Sequence, residues 1–272
     1  MSDAKLSIVI PAYNESARIE QTLGRVTWCV EEQGWDAEIL VVDDGSQDAT
    51  AQIVERWMER CPRLKLIKNN GNRGKGYSVR NGLLQAAGEI VMFTDADLSA
   101  PMEEANLLMA AIADGAEVAI GSRWLDKTRQ TMHQPMYRRF FGRCFNGVTR
   151  IVMGLPFKDT QCGFKAFRRS AAQIIFRLQR IERWGFDPEI LFIARKLGYD
   201  IREVPVTWGH DERSRMSYLK DGMKMLEEMA VIRANSLAGR YDEDIAALKD
   251  TSAMVTPPVK QVKVRPSPQA HV

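Results

Sequence analysis

Histidine is scarce in this 272-residue chain, three residues in all, and its four cysteines, Cys29, Cys61, Cys144 and Cys162, form no Cys-x-x-Cys pair. Neither a zinc site nor a disulfide framework is indicated, and a reducing compartment suits such a pattern. A surplus of one charge is missing too: 38 Lys and Arg face 35 Asp and Glu, for a formal net charge of +3. Gripping nucleic acid through its phosphates takes a stronger positive field, so no nucleic-acid partner is expected. No run of about 18 apolar residues exists, which excludes an ordinary membrane-crossing helix. The first residues lack the basic and apolar stretches of a secretory leader. The chain is therefore expected in the cytoplasm, with room for peripheral contact on the cytoplasmic face of a membrane.

What is present is an ordinary globular composition, 45% hydrophobic, enough for a full core. Short continuous apolar runs recur at Leu6 to Ile10, Glu38 to Val42, Leu64 to Ile67, Ile90 to Phe93 and Glu117 to Ile120. Runs of that kind suit strands buried on both faces. Helical patterns fill the gaps at Ser16 to Glu32, Asp48 to Arg60 and Gly76 to Ala87, with Asp48 a candidate N-cap and Pro62 a stop. The alternation predicts an α/β fold, a mainly parallel sheet with helices on both faces, Rossmann-like over residues 1–121. A mixed half follows over 122–238, with strands at Gly163 to Phe167 and Ile201 to Val206 and helices from Ser170, around Pro188 to Leu197 and over Tyr218 to Leu237. Together these make one domain, 1–238. Residues 239–272, ending in TPPVKQVKVRPSPQAHV without apolar period, read as a disordered tail.

In such a sheet ligands collect beyond the C-terminal strand ends, where loops and helix N-termini converge. Four polar motifs fall there. In Thr94-Asp95-Ala96-Asp97, continued extended backbone would point both carboxylates the same way, and they would need a cation between them. A divalent ion with oxygen ligands, Mg²⁺ or Mn²⁺, would fill that need and hold a diphosphate, while an Asx-rich turn is the structural alternative. VVDDGS, with Asp44, offers an acid to a base N–H or ribose hydroxyl, or else a helix-capping turn. Pro11-Ala12-Tyr13-Asn14-Glu15 offers Tyr13 for stacking on a base and Glu15 for hydrogen bonding, or else a strand-to-helix cap. NNGNRGKG, Asn69 to Gly76, is a glycine-rich basic loop able to cradle phosphate through N–H groups and Lys75. It matches neither GxxxxGK[ST] nor GxGxxG, which argues against an ATPase or a nicotinamide enzyme.

In this order, PAYNE, VVDDGS, NRGKGYSVRNG, FTDADLS, GSR at 121–123 and DTQCGFKAF at 159–167 resemble the family 2 glycosyltransferases of GT-A fold, over about residues 5–237. The pattern is most similar to the polyprenyl (dolichyl) phosphate sugar transferases within them, the dolichyl-phosphate β-glucosyltransferase type in particular. The resemblance implies donor contacts from Pro11, Ala12, Tyr13, Glu15 and Asp44 to the nucleoside. It implies contacts from Asp95, Ala96 and Asp97 to the sugar and the metal-bound diphosphate, with Asp97 and Asp95 holding the metal, and it places Lys75 on the donor side. Arg123, Gln161, Lys165 and Ser217 would line the acceptor side. Two positions depart from the family pattern. Ser99 stands where related phosphomannosyl enzymes have a metal-assisting Gln, and Tyr218 follows Ser217 where the family has Lys. That leaves diphosphate neutralisation to Arg213 or Arg215.

Residues 123–150 carry Arg123, Lys127, Arg129, Arg138, Arg139, Arg143 and Arg150 against the single acid Asp126. Arginine grips phosphate in bidentate fashion, so Arg138 and Arg139 join Arg123 as acceptor residues. A phosphomonoester is largely dianionic at neutral pH and needs no general base. A sugar hydroxyl would need one, and Asp187 in WGFDPE is then the candidate, or else a helix cap. Met132, Met136, Tyr137, Phe140, Phe141 and Phe145 among these arginines suit a helix lying on anionic lipid, and equally a core or a homo-oligomer contact. The expected reaction is an inverting, metal-dependent transfer of a hexose, glucose from UDP-glucose, to a polyprenyl phosphate. Asp97, Arg123, Arg213 and Arg215 are the candidate catalytic residues, with the metal on Asp97 and a loop arginine, Arg213 or Arg215, steadying the departing diphosphate. Mannosyl transfer from GDP-mannose, transfer to a saccharide hydroxyl, and a silent nucleotide-sugar-binding scaffold at a membrane are the alternatives.

Overall fold

The structure, a computed structural model, describes residues 5–126, 128, 136–209 and 218–255, with backbone alone for 136–141, 143, 144, 218–221 and 249–255. The apolar runs of the first half form β1 (Leu6–Ala12), β2 (Ala37–Asp43), β3 (Leu64–Lys68), β4 (Ile90–Thr94) and β5 (Val118–Ser122). Every one runs a residue or two beyond its apolar pattern, which carries Asp43, Lys68, Thr94 and Ser122 up to the loops. Between them lie α1 (Ile19–Glu32), α2 (Thr50–Met58), α3 (Lys75–Gln85) and α4 (Ala105–Ala113). The first two helices start later than the periodicity predicts because the residues before them are engaged in a loop. The Asp48 carboxylate accepts from Thr50 N–H at 3.0 Å and, across the sheet end, from Ser16 N–H at 3.1 Å.

The second half contributes α5 (Met136–Met153), β6 (Phe164–Arg168), α6 (Arg169–Leu178), α7 (Phe186–Lys196), β7 (Ile201–Pro205), α8 (Tyr218–Leu237) and α9 (Arg240–Val255). The seven strands form one sheet in the order β3-β2-β1-β4-β6-β5-β7. Parallel pairing joins β1 to β2 and β4, β2 to β3, and β5 to β7. The exception is β6, antiparallel to both neighbours, Phe93 facing Lys165 and Ile120 facing the same residue from the other side. The chain leaves β5 at Ser122 and re-enters at Phe164 on the same sheet edge. The start of β6 therefore joins the C-terminal ends of β1, β4 and β5.

Strand residues alternate between two cores. Ile8, Ile10, Ile39, Val41 and Met92 pack beneath α1, α2 and α4, whereas Val9, Leu40, Val42, Val91 and Phe93 pack beneath α3, α6, α7, α8 and α9. Burial on both faces is why these strands read as unbroken apolar runs. The second core has an aromatic spine in which Phe93 lies 5.8 Å from Phe186 and 6.4 Å from Phe167, and Phe167 meets Phe176 edge-on at 5.3 Å. Phe145, open on its sequence alone to lipid contact, core packing or a homo-oligomer contact, packs against this core.

Order does not end at Gly239, which corrects the expectation of a disordered tail from that point. Gly239 takes a positive φ of 74° and α9 follows, docked by the fully buried Tyr241. Its hydroxyl donates to Glu189 Oε1 at 2.6 Å and its ring meets Phe192 edge-on at 5.9 Å. Lys196–Asp242 and Arg180–Asp244 ion pairs at 2.5 and 2.6 Å flank it. Tyr241, Ile245 and Leu248 pack against the second core at helical spacing, a short apolar period that the proline-rich, unpatterned end of the chain masks in the sequence. Residues 256–272 lie outside the described residues.

Burial raises the Glu189 carboxyl above its usual value of 4.5, even though Tyr241 and the N–H groups of Ile181 and Arg180 favour the anion. The folded state thus takes up this proton more readily than the unfolded chain, so the contribution of Glu189 to stability falls as pH rises through that raised value. Tyr241→Phe is expected to lower unfolding free energy by about 2 kcal/mol at neutral pH. In urea titrations that loss shrinks under acid conditions, where Glu189 is neutral.

Candidate active site

The loop after β1 and the loop after β2 are zipped together by backbone N–H donors reaching one carbonyl and two side-chain hydroxyls. Asp44 N–H donates to Ala12 O at 2.8 Å, Asn14 N–H to Ser46 Oγ at 2.9 Å, and Glu15 N–H to Thr50 Oγ1 at 2.8 Å. Asn14 sits at φ 54° and returns a bond, its Oδ1 accepting from Gln47 N–H at 2.8 Å. Tyr13 is left outward, 39% exposed, beside the half-buried Pro11 and the buried Ala12. Glu15 pairs with Arg18 at 2.7 Å.

Asp44 behaves differently from a side chain waiting for a ligand. It is buried, Oδ1 accepting from Asn69 Nδ2 at 2.8 Å and Arg73 N–H at 3.0 Å, and Oδ2 from Gly74 N–H at 2.7 Å. Its carboxylate shapes the glycine-rich loop, ordering the N–H groups that precede α3. The fit is close: a Cβ on Gly45, at φ +74°, would meet Gly71 backbone at 2.7 Å, and one on Gly76 would meet Phe186 Cβ at the same distance. From the first residue of α3, Lys75 reaches the exit of β4, its Nζ 2.5 Å from Asp95 Oδ1.

Asp95 and Asp97 come together by a route the strand pattern does not predict. β4 ends at Thr94, and a turn follows in which Leu98 N–H donates to Asp95 O at 3.0 Å, with Leu98 at φ 47°. The extended backbone on which the shared direction was reasoned is absent, and the turn juxtaposes the two acids instead. Asp97 Oδ1 accepts from Ser99 N–H at 2.9 Å, and Ser99 O accepts from Gly209 N–H at 2.7 Å, which ties the turn to the segment after β7. Burial first, and the Asp95 charge second, raise the Asp97 carboxyl above the ordinary carboxylate value. Burial alone would depress the Lys75 ammonium, but Asp95, Asp187 and Asp97 together hold it above the usual lysine value.

These two carboxylates suit a hard divalent cation, which is commonly held by one or two acids with phosphate and water completing the shell. Among the described residues no group of three or more His, Cys, Asp or Glu forms a self-sufficient metal cage. Lys75 meanwhile supplies positive charge to the pair. Gly163, just before β6, closes this wall: a Cβ there would fall 2.6 Å from Asp95 Cγ.

On the far side, Arg123 leaves β5 and is clasped by the fully buried Asp159, Nε to Oδ2 at 2.6 Å and Nη2 to Oδ1 at 2.8 Å. The Trp208 ring lies over its guanidinium, 4.8 Å away. Lys165 is fully buried and donates to Cys162 O at 2.6 Å and to Asp187 Oδ1 at 2.5 Å. Asp187 belongs to the first turn of α7, not to a cap before it. Gln161 is half-buried, its N–H donating to Asp159 Oδ1 at 3.2 Å and its amide Nε2 lying 4.0 Å from Met225 Sδ. Ala96 is buried and its carbonyl accepts from Thr22 Oγ1.

The sheet therefore gathers Pro11, Ala12, Tyr13, Glu15, Asp44, Lys75, Asp95, Ala96, Asp97, Arg123, Gln161 and Lys165 at one edge. Arg123 and Lys165 stand there as members of ion pairs. Arg213, Arg215 and Ser217 lie outside the described residues; Arg138 and Arg139 fall on α5, their side chains outside them too. Asp159 and Gly163, which the structure puts against Arg123 and Asp95, have no assigned role in the sequence reading, although both lie inside DTQCGFKAF. The Asp-to-Gly spacing within that run was the available signal.

Residues 7–176 match the family model described as Glycosyl transferase family 2. A dolichyl-phosphate beta-glucosyltransferase of Saccharomyces cerevisiae is 35% identical over 257 residues, covering 88% of this chain and 77% of the yeast protein. One from Trichomonas vaginalis is 34% identical over 222 residues, 78% of this chain and 68% of its own. Among solved structures, glucosyl-3-phosphoglycerate synthase from Mycobacterium tuberculosis, in complex with Mn²⁺, UDP and phosphoglyceric acid, superposes with a TM-score of 0.59 at 18% identity, covering 84% and 77% of the two chains. At that identity the likeness speaks for the fold.

Gly163→Ala is expected to force the Asp95 carboxylate away from Lys75, because the new methyl group occupies its place. Overpacking of this kind costs about 1–3 kcal/mol. Thermal melting measures that cost, and sugar transfer should fall further than the loss of folded protein explains.

Proposed function

The chain belongs to glycosyl transferase family 2, and from that premise we propose that it moves glucose from UDP-glucose, with inversion, onto a polyprenyl phosphate at a membrane surface. The relatives named above as dolichyl-phosphate beta-glucosyltransferases support the sugar and the acceptor class. The observation that carries the reading is the state of Asp187. This carboxylate, the candidate base for a hydroxyl acceptor, is 5% exposed and held by the Lys165 ammonium at 2.5 Å. A carboxylate so enclosed and already engaged by an ammonium is not free to meet an acceptor hydroxyl, and an acceptor that arrives already ionised needs no base.

The donor would lie along the edge from Tyr13 to Asp97, its base beside the exposed phenol ring and its diphosphate toward Lys75 at the start of α3. Asp95 and Asp97 would hold Mg²⁺ or Mn²⁺, which when bound stabilises the charge growing on the leaving diphosphate. Displacement from the opposite face inverts the anomeric carbon and uses no enzyme nucleophile. Arg123, fixed by Asp159, lies on the acceptor side as a positioning residue for the 157–163 loop. Arg138, Arg139, Gln161 and Ser217 would complete that side, with Arg213 and Arg215 closing on the diphosphate. Contact with the lipid acceptor is assigned to Arg138 and Arg139; among the described residues no helix is long and apolar enough to cross a membrane.

The decisive measurement offers radiolabelled UDP-glucose and GDP-mannose, each with and without a short polyprenyl phosphate, and follows label into lipid. Glucose-labelled lipid formed only with the phosphate acceptor is the expected product; mannose-labelled lipid, or label in free saccharide, overturns the assignment. Asp97→Ala should lower transfer by about a hundredfold or more. Excess EDTA should stop it, with recovery on adding Mn²⁺. Arg138→Ala with Arg139→Ala is expected to raise KM for the polyprenyl phosphate about tenfold while leaving KM for the nucleotide sugar near its original value.

A further inference from the structure

Among the described residues, three cations lie buried or half-buried near the β4 exit, and their partners differ. Arg123 and Lys165 neutralise Asp159 and Asp187, which are 0% and 5% exposed, so neither cation can leave without stranding a buried charge. Lys75 is paired with Asp95, whose side chain is 28% exposed. Its own ammonium lies 5.7 Å from the ring of Trp184, itself 36% exposed, and 5.9 Å from that of Phe186. Gly74 and Gly76 flank Lys75 in sequence and put no side chains in its way. Of the three, it is the cation able to withdraw, along aromatic faces that favour positive charge throughout.

Resting on the proposed metal site at Asp95 and Asp97, we propose that Lys75 is a placeholder for the divalent cation, bound to Asp95 until a diphosphate arrives to receive the displaced ammonium. The charge count explains the coupling. One ammonium against two carboxylates leaves one net negative charge, and a doubly charged ion added alone turns this to one net positive charge and makes Lys75 a repelling neighbour. A diphosphate entering with the ion restores the balance and offers Lys75 new oxygen partners. Metal and nucleotide then each raise the affinity for the other by the same factor.

The test is calorimetric titration of the full chain with Mn²⁺, with and without UDP, in wild type, Lys75→Gln and Lys75→Arg. Lys75→Gln is expected to bind Mn²⁺ alone about tenfold more tightly than wild type, and the gain in Mn²⁺ affinity conferred by UDP should shrink by the same factor. Lys75→Arg, which keeps the charge, should behave as wild type. Unchanged or weaker binding of Mn²⁺ alone to Lys75→Gln overturns the placeholder role while leaving the metal site standing. If wild type fails to bind Mn²⁺ even with UDP, the metal site itself is overturned and the lysine role with it. Should Lys75→Gln not fold, wild type still decides by NMR. The ¹⁵N ammonium signal missing from Lys75→Arg should stay in place with Mg²⁺ alone and move with Mg²⁺ plus UDP, and an equal shift under Mg²⁺ alone overturns the inference.

Discussion

Asp44, Asp95, Asp97, Asp159 and Asp187 meet along one sheet edge, and like charges crowded into a partly dry site repel unless each is given a counter-charge. The chain answers each acid differently. Asp44 takes backbone N–H groups of the glycine-rich loop, Asp159 takes Arg123, and Asp187 takes Lys165. Asp97 accepts from Ser99 N–H and is left the most strained electrostatically, with its carboxyl raised by burial and by Asp95. Asp95 has Lys75, the partner most easily given up. The architecture of the site is largely this distribution of compensating groups, and the loops take their shapes from it.

Much of this was legible because strands buried on both faces leave continuous apolar runs. β1 to β5 fell where Leu6 to Ile10 and its four counterparts predicted, and α8 fell on Tyr218 to Leu237. The polar motifs were placed at strand ends by the same reasoning. The reversed direction of β6 was not legible, since GFKAF has the same texture whether it runs parallel or antiparallel. Direction depends on where the chain re-enters the sheet, a matter of the long excursion containing α5. The turn at Asp95 to Leu98 was likewise hidden, because the i, i+2 argument holds only while the backbone stays extended. Salt-bridge partners far apart in sequence, such as Arg123 with Asp159, leave no periodic trace at all.

The reversed strand also separates two kinds of work. The edge from β1 to β4 carries the nucleotide-compatible loops, whose glycines at 45, 74 and 76 permit backbone approach that a side chain would block. The ends of β5 and β7 carry Arg123 and the segment reaching Trp208, joined to the start of β6 through Asp159 and Glu203, which accepts from Lys158 and Asp159 N–H groups at 2.9 and 2.7 Å. Gly163 lies on the seam, in contact with the Asp95 carboxylate.

The outer strands have a consequence for how copies of this chain meet. β3 and β7 present open hydrogen-bonding rims, the part of a sheet most prone to recruit a foreign strand. On β3, Lys65 and Lys68 pair with Glu38 and Glu55 yet remain 60% and 55% exposed at their side chains, and on β7 Arg202 is engaged by Asp114 and Asp200. Charge posted along both rims discourages end-to-end growth into ribbons.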